Sequence, residues 1–412
     1  MMRSLFSGVS GLKSHQTRMD VIGNNISNVN TVGFKSSRTT FAETLEQTLT
    51  GASAPNNPTI GGTNPKQIGL GTGVASIDMI FTDGSVQSTG KNTDLCLSGN
   101  GFFIVKQGDN TYYTRDGAFE FDAVGDYVLP GSGLHVQGWL READGTLDTG
   151  DETKIKDIVV PNGQTIDARQ TANASLTGNL NASSATGTTL TTMVEVYASQ
   201  GQHYSIPVVF QKTGTNAWSY KIQDNWKAQD GTTATLTGTL SFDKDGKSTG
   251  TTTSTLTVNL TNGATTPITI TLDTSKLTQV TAESTEHVEQ DGYGAGKLLN
   301  ISIDNQGIIT GTYSNGVKRQ EAQIAIAQFP NATGLTKSGN NLYQISNNSG
   351  NRTVGTNSAL GVTITPSALE MSNTDVANEF ADMIITQRGF QSNSKIITVG
   401  DERLETLINM KR

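Results

Sequence analysis

The chain has 412 residues, enough for two or three domains with substantial cores. Hydrophobic residues make up only 34% and charged residues 16%, beside 45 glycines, a balance that suits a β-rich, surface-heavy protein better than a compact enzyme. A net charge of −8 leaves no basic stripe for phosphates and excludes nucleic acid as an expected partner, while a lone cysteine, Cys96, excludes an internal disulfide.

At the amino end, Leu5, Val9, Leu12, Met19, Ile22, Ile26 and Val29 fall at steps of three, four or seven, which predicts one apolar helix face. The first fifteen residues hold too few bulky apolar groups for a signal-peptide core, so export is expected without a cleaved signal. No run reaches the roughly 18 apolar residues of a membrane span, and no membrane insertion is expected. Gly23, Asn24, Asn25 and Asn28 are expected to stop the helix and turn the chain, because Asn tolerates left-handed geometry and its amide bonds nearby backbone.

Residues 36–70 read as an irregular linker or strap, punctuated by Pro55, Pro58, Pro65 and glycines. From 71 to 145, short strands alternate with turns, as in "GFFIVKQGDNTYYTRDGAFEFD", and predict an inner β domain. Residues 146–290 shift towards Thr and Ser in strand-like runs such as "MVEVYAS", "SIPVVFQ", "STLTVNL" and "PITITLD". Six or more such strands predict a second β domain, a sandwich or barrel, inserted into the first. The inner β domain resumes over 291–366 with a hairpin about Asp304 to Gly307.

The carboxyl end carries a heptad series, Val376, Met383, Phe390, Ile397 and Leu404, accompanied by Phe380 and Ile408. Asp375 near its start and Lys411 and Arg412 at its end match the helix dipole. Companion positions Gln387, Ser394 and Asp401 are polar and Gly389 sits inside, which weakens the seam. Burying its five main apolar residues yields roughly 7 to 15 kcal/mol. Ordering the backbone costs about 1 to 2 kcal/mol per residue, so the helix needs a partner. The terminal segments, 1–35 and 367–412, are expected to pair with one another and with other copies of the chain. The fold class is therefore mostly β with α-helical termini.

Apparent chemistry does not hold up. "GKSTG" (Gly246 to Gly250) has nucleophile-elbow spacing but is followed by threonines, not a helix, and reads as a turn. It fails as a phosphate loop because position 241 is Ser241. "GLGTG" (Gly69 to Gly73) lacks the following helix of a dinucleotide site. His15, His135, His203 and His287 lack metal-ligand spacing. Asp144, Asp148, Asp151 and Glu152 read as turn-capping carboxylates ahead of a calcium loop. No catalytic residue, metal or cofactor is expected.

The opening "MMRSLFSGVSGLKSHQTRMDVIGNNISNVNTVGFK" and the close "FADMIITQRGFQSNSKIITVGDERLETLINMKR" resemble the ends of bacterial flagellar rod and hook axial proteins. "TDLCLSGNGFFIV", "YYTRDGAF" and "GNNLYQIS" extend the resemblance to the inner β domain. The length and the Thr-rich insertion favour the hook branch. A distal rod subunit with an unusual insertion, or a secreted β-rich adhesin or hydrolase, are the alternatives. The resemblance implies terminal helices forming a coiled-coil-like tube lining, an inner β wall and an outward inserted domain. It implies a flexible curved tube that transmits motor torque, outside the cell in the flagellar hook. Its implied partners are further copies, the distal rod, the hook cap, hook-filament junction proteins and the flagellar type III export apparatus. Phe41 and Leu45 in "FAETL" resemble the family's export-gate element.

Overall fold

The computed structural model describes residues 2–54, 61–142, 145–250, 252–261, 263–264 and 266–410. The chain divides into two units: residues 1–161, 302–310 and 320–412 in unit 1, and residues 162–301 and 311–319 in unit 2.

In unit 1, helix α1 (Met2–Ser27) opens the chain and helix α2 (Val376–Met410) closes it. Helix α1 does not stop at Gly23, Asn24 and Asn25, as expected from the sequence, but runs through them to Ser27. The sequence reading failed because Asn lowers helix propensity only slightly, and packing overrides it. Asn28 does act at the end: its amide donates to the Asn24 carbonyl at 2.9 Å. The chain then bends through Gly33, whose φ of 65° is left-handed and whose missing Cβ would lie 2.7 Å from the Asp116 nitrogen.

The segment expected to be an irregular strap is instead mostly paired. Strand β1 (Ser37–Glu43) runs antiparallel to β4 (Thr72–Met79), and β2 (Glu46–Thr50) to β3 (Lys66–Gly69). The strand propensity of "SRTTFAE" and "TGVASIDM" outweighs the glycines, which gather at the far end of the ladders; Pro55 and Pro58 lie outside the described residues. Strand β4, which began the expected inner β domain, pairs with β1, and both strands pack against α1.

The rest of unit 1 is mainly sheet, with a short helix at Asn357–Leu360. A hairpin joins Phe102–Gln107 to Asn110–Thr114 through Gly108 and Asp109, with Gly108 at φ 58°. Its inner face packs Phe102, Ile104 and Tyr113 with Trp139, Phe329 and Tyr343. Rings meet edge-on, as for Tyr113 and Phe329 at 4.8 Å between centroids. The expected turn at Asp304 to Gly307 is present: the Asp304 carboxylate accepts from the Gln306 and Ile308 nitrogens.

The core of unit 2 is a β-sandwich of two five-stranded sheets. One holds Thr233–Thr235, Thr253–Asn259, Ile268–Thr278, Asn173–Asn179 and His287–Gln290. The other holds Thr189–Tyr197, His203–Gly214, Ala217–Ile222, Thr237–Phe242 and Ser248–Thr249. Alternation explains the layers: Leu256, Ile270 and Leu272 point inward to meet Ile206, Phe210 and Trp218, while Thr269, Thr271, Thr237 and Thr239 face out. Within the first sheet, Asn173–Asn179 lies parallel to Ile268–Thr278.

Candidate assembly surface

Helices α1 and α2 lie antiparallel, and the contact runs through small and polar residues. Leu5 meets Gly400, Gly8 meets Ile396 and Ile397, Gly11 meets Asn393, and His15 meets Gly389. Arg18 pairs with Asp382 at 3.1 Å and Asn25 donates to Glu379 at 2.8 Å. A Cβ at Gly389 would sit 2.6 Å from the His15 ring, at Gly400 2.7 Å from Leu5, and at Gly11 2.9 Å from Asn393. Gly389, which looked like a weak point in the sequence, is the seat of the His15 imidazole.

The predicted apolar residues are distributed around this contact rather than along its centre. On α1, Ile22 is buried, Leu5, Leu12, Met19 and Ile26 are half-buried, and Val9 is exposed. On α2, the heptad residues Val376, Met383, Phe390, Ile397 and Leu404 are all half-buried, whereas Phe380 and Ile408 are exposed. The residues accompanying the heptad on the packed face are Glu379, Thr386, Asn393 and Gly400, each three positions on, not Gln387, Ser394 and Asp401 at four. Of all 35 residues in α2, Thr386 alone is buried. Ile384, Ile385 and Ile408 stay 58%, 60% and 66% exposed. Helix α2 also outruns its partner: it continues ten residues beyond Gly400, while α1 has only Met2 to Ser4 left beyond Leu5.

Two junctions absent from the sequence reading fix the ends of these helices. The buried carboxamide of Asn25 accepts from the Ser37 nitrogen at 2.9 Å and donates to the Ser37 carbonyl at 2.7 Å, clamping α1 to β1. Nearby, Lys35, Arg115 and Glu370 form a buried ionic cluster. Lys35 Nζ lies 2.5 Å from Glu370 Oε1 and also donates to the Thr82 carbonyl at 2.7 Å. Arg115 Nη1 lies 3.4 Å from Glu370 Oε2, and its guanidinium donates to the carbonyls of Leu97 and Gly99. The Gly84 nitrogen donates to Glu370 as well, at 2.9 Å. Burial lowers the Lys35 pKa from its ordinary value, opposed by the Glu370 charge. One carboxylate thus ties the segment after α1, the segment before α2 and the central sheet. The quoted runs "GFK" and "YYTRDGAF" held two of these residues; only their three-dimensional meeting reveals the role.

Phe41 sits at a register shift in β1 with its ring edge-on to His15 at 5.6 Å, and Leu45, just past the strand, is 83% exposed. Among the described residues no cluster of His, Cys, Asp or Glu could hold a metal. Asp148 and Asp151 accept from turn nitrogens, and Lys154 pairs with Asp148 at 2.6 Å; Asp144 lies outside the described residues. Lys247 in "GKSTG" follows a turn closed by the Asp243 carboxylate, between two strands. Cys96 is buried, and burial pushes its thiol up to about 11, which keeps it protonated and unreactive. No helix of the described residues is long and apolar enough to cross a membrane.

Flagellar hook protein FlgE of Borreliella burgdorferi is 40% identical over 448 aligned positions that cover all of both chains. The chain belongs to the flagellar hook protein family. FlgE of Treponema pallidum is 39% identical, again over the whole of both chains. Family models match along the hook-family chain: the flagella basal body rod protein at 5–35, the flagellar hook protein FlgE/F/G D1 domain at 96–182, the flagellar basal body protein FlaE D2 domain at 164–293, and the flagellar basal body rod FlgEFG protein C-terminal at 365–410. The crystal structure of Helicobacter pylori hook protein FlgE2 matches with a TM-score of 0.53 at 16% identity, covering 69% of this chain and 100% of that one, which supports the fold. Members of this family are structural subunits, not enzymes.

Proposed function

We propose that the chain is the structural subunit of the bacterial flagellar hook, polymerising into a flexible curved tube that passes motor torque to the filament. The observation that carries this reading is α2, a 35-residue helix with a single buried residue. A helix so poorly covered by its own chain cannot offset its ordering entropy alone and calls for neighbouring copies. In the polymer, terminal helices line the bore, and Leu5, Val9, Leu12, Met19, Ile22 and Ile26 join Val376, Phe380, Met383, Phe390, Ile397, Leu404 and Ile408 as the helix seam, in which the buried Ile22 packs within its own chain and the exposed Val9, Phe380 and Ile408 face neighbouring copies. The threonine-rich faces of unit 2 supply weak contacts whose hydroxyls exchange partners with water at small cost, which suits a tube that must bend. Further partners are the distal rod, the hook cap, the hook-filament junction proteins and the type III export apparatus, the last meeting Phe41 and Leu45. The polymer stands outside the cell.

Negative-stain microscopy tests this. The purified wild-type chain in polymerising salt is expected to form tubes, and Phe390→Asp to form none while unit 2 keeps its β circular dichroism. Full-length tubes from Phe390→Asp would remove the seam from the account.

A further inference from the structure

The sequence holds four Asn-Gly pairs, beginning at Asn100, Asn162, Asn262 and Asn315; Asn262 lies outside the described residues, and in unit 2 the turn at Asn162 and Gly163 and the pair at Asn315 and Gly316 have opposite surroundings. Asparagine before glycine is the sequence most prone to spontaneous deamidation, because no Cβ shields the glycine nitrogen from the neighbouring carboxamide. Structure then decides which pair reacts, since the nitrogen and the carboxamide must both be free to meet.

At Asn315 they are held. Its Nδ2 donates to the Gly294 carbonyl at 2.7 Å and its Oδ1 accepts from the Val317 nitrogen at 3.1 Å. The attacking group is occupied too: the Gly316 nitrogen donates to the Tyr313 carbonyl at 3.0 Å. At Asn162 the reverse holds. Asn162 and Gly163 are both exposed, and among the described residues neither the Asn162 carboxamide nor the Gly163 nitrogen has a hydrogen-bond partner. Nothing lies within 4 Å of where a Gly163 Cβ would stand.

We propose that Asn162 is a self-modification site, converting with water to aspartate and isoaspartate in the folded protein. The Gly163 nitrogen gives up its proton and bonds to Asn162 Cγ, the Cγ–Nδ2 bond breaks, and ammonia leaves. Water then opens the resulting succinimide at either carbonyl. The net change is amide plus water to carboxylic acid plus ammonia, with no electron transfer. The products place a new negative charge in the opening turn of unit 2, and the isoaspartate form lengthens the backbone there by one carbon.

The full chain is incubated at mildly alkaline pH in heavy-oxygen water, and both peptides are followed by mass spectrometry, once folded and once in denaturant. In the folded chain Asn162 is expected to convert on the order of tenfold or more faster than Asn315, which must first give up three hydrogen bonds. In denaturant the two rates are expected to converge. Asn162→Gln, whose longer side chain closes the ring far more slowly, is expected to abolish the change at that peptide and leave Asn315 unaltered. Equal rates in the folded chain, or a ratio unchanged by denaturant, would overturn the proposal.

Discussion

Glu370 offers the sharpest test of how the terminal segments are held. It is 0% exposed and is the shared anion of two buried cations, Lys35 and Arg115. Their other carboxylate, Asp83, reaches only Arg115, at 3.6 Å, and is 43% exposed. Removing Glu370 therefore leaves Lys35 with no carboxylate in reach and Arg115 with only the part-exposed Asp83, whereas removing Lys35 leaves Glu370 with Arg115 and the Gly84 nitrogen. Breaking a buried pair by deleting one partner costs about 3 to 5 kcal/mol, mostly from the orphaned charge. Glu370→Leu should fall at or above the top of that range, and Lys35→Met nearer ~2 to 3 kcal/mol, the scale of lost charged hydrogen bonds. The double variant should be less destabilised than the sum of the singles, because the desolvation cost of both charges disappears together. Urea unfolding followed at Trp139, buried in unit 1, reads the loss. Trp218 and Trp226, both in unit 2, must be replaced by Phe in every variant so that the signal is specific. Strict additivity, or Lys35→Met costing more than Glu370→Leu, would refute this account of the cluster.

Gly389→Val should separate the terminal helices and lower polymer yield: forcing a side chain against the His15 ring costs about 1 to 3 kcal/mol, more than the few tenths gained in helix propensity; pelleting assays check this. Asn25→Ala should cost roughly 2 to 3 kcal/mol in unit 1 by leaving both Ser37 backbone groups unpaired, measurable as faster amide exchange in β1. Burial, and then the Arg18 charge, lower the His15 pKa, so the folded pair favours the neutral ring. Below the unfolded value of about 6.5 the unfolded chain binds more protons. The helix pair should accordingly loosen as pH falls below that value. His15→Gln should remove this part of the pH profile, leaving the part contributed by Glu379, whose carboxyl burial pushes up.

The fold class was legible because side-chain periodicity survives in a single sequence. Steps of seven from Val376 to Leu404 mark a helix, and alternation in "PITITLD" marks a half-buried strand. Partner choice was not legible to the same degree. Nothing in the alternation of Asn173–Asn179 says that it lies parallel to Ile268–Thr278. The contact between the terminal helices escaped notice because it is built from residues that hydropathy ignores: Gly11, Gly389 and Gly400 matter through the atoms they lack, visible only once the opposing side chain is in place. Asn25 looked like a stop signal because its true partner, Ser37, reaches it only after the chain has turned at Gly33. Lys35, Arg115 and Glu370 are spread over more than three hundred residues, so their ionic bond is invisible to local pattern.

The unequal reach of the two helices bears on how growth can continue. A pair flush at both extremities could settle into a closed twofold dimer. A staggered pair presents an overhang, and where an overhang meets an unlike patch on the next copy the contact is head-to-tail, which closes to a ring or runs on as an open helix according to the rotation it imposes. Where the rotation does not close, each added molecule presents the same protruding tip again, and a tube grows by repeating one contact.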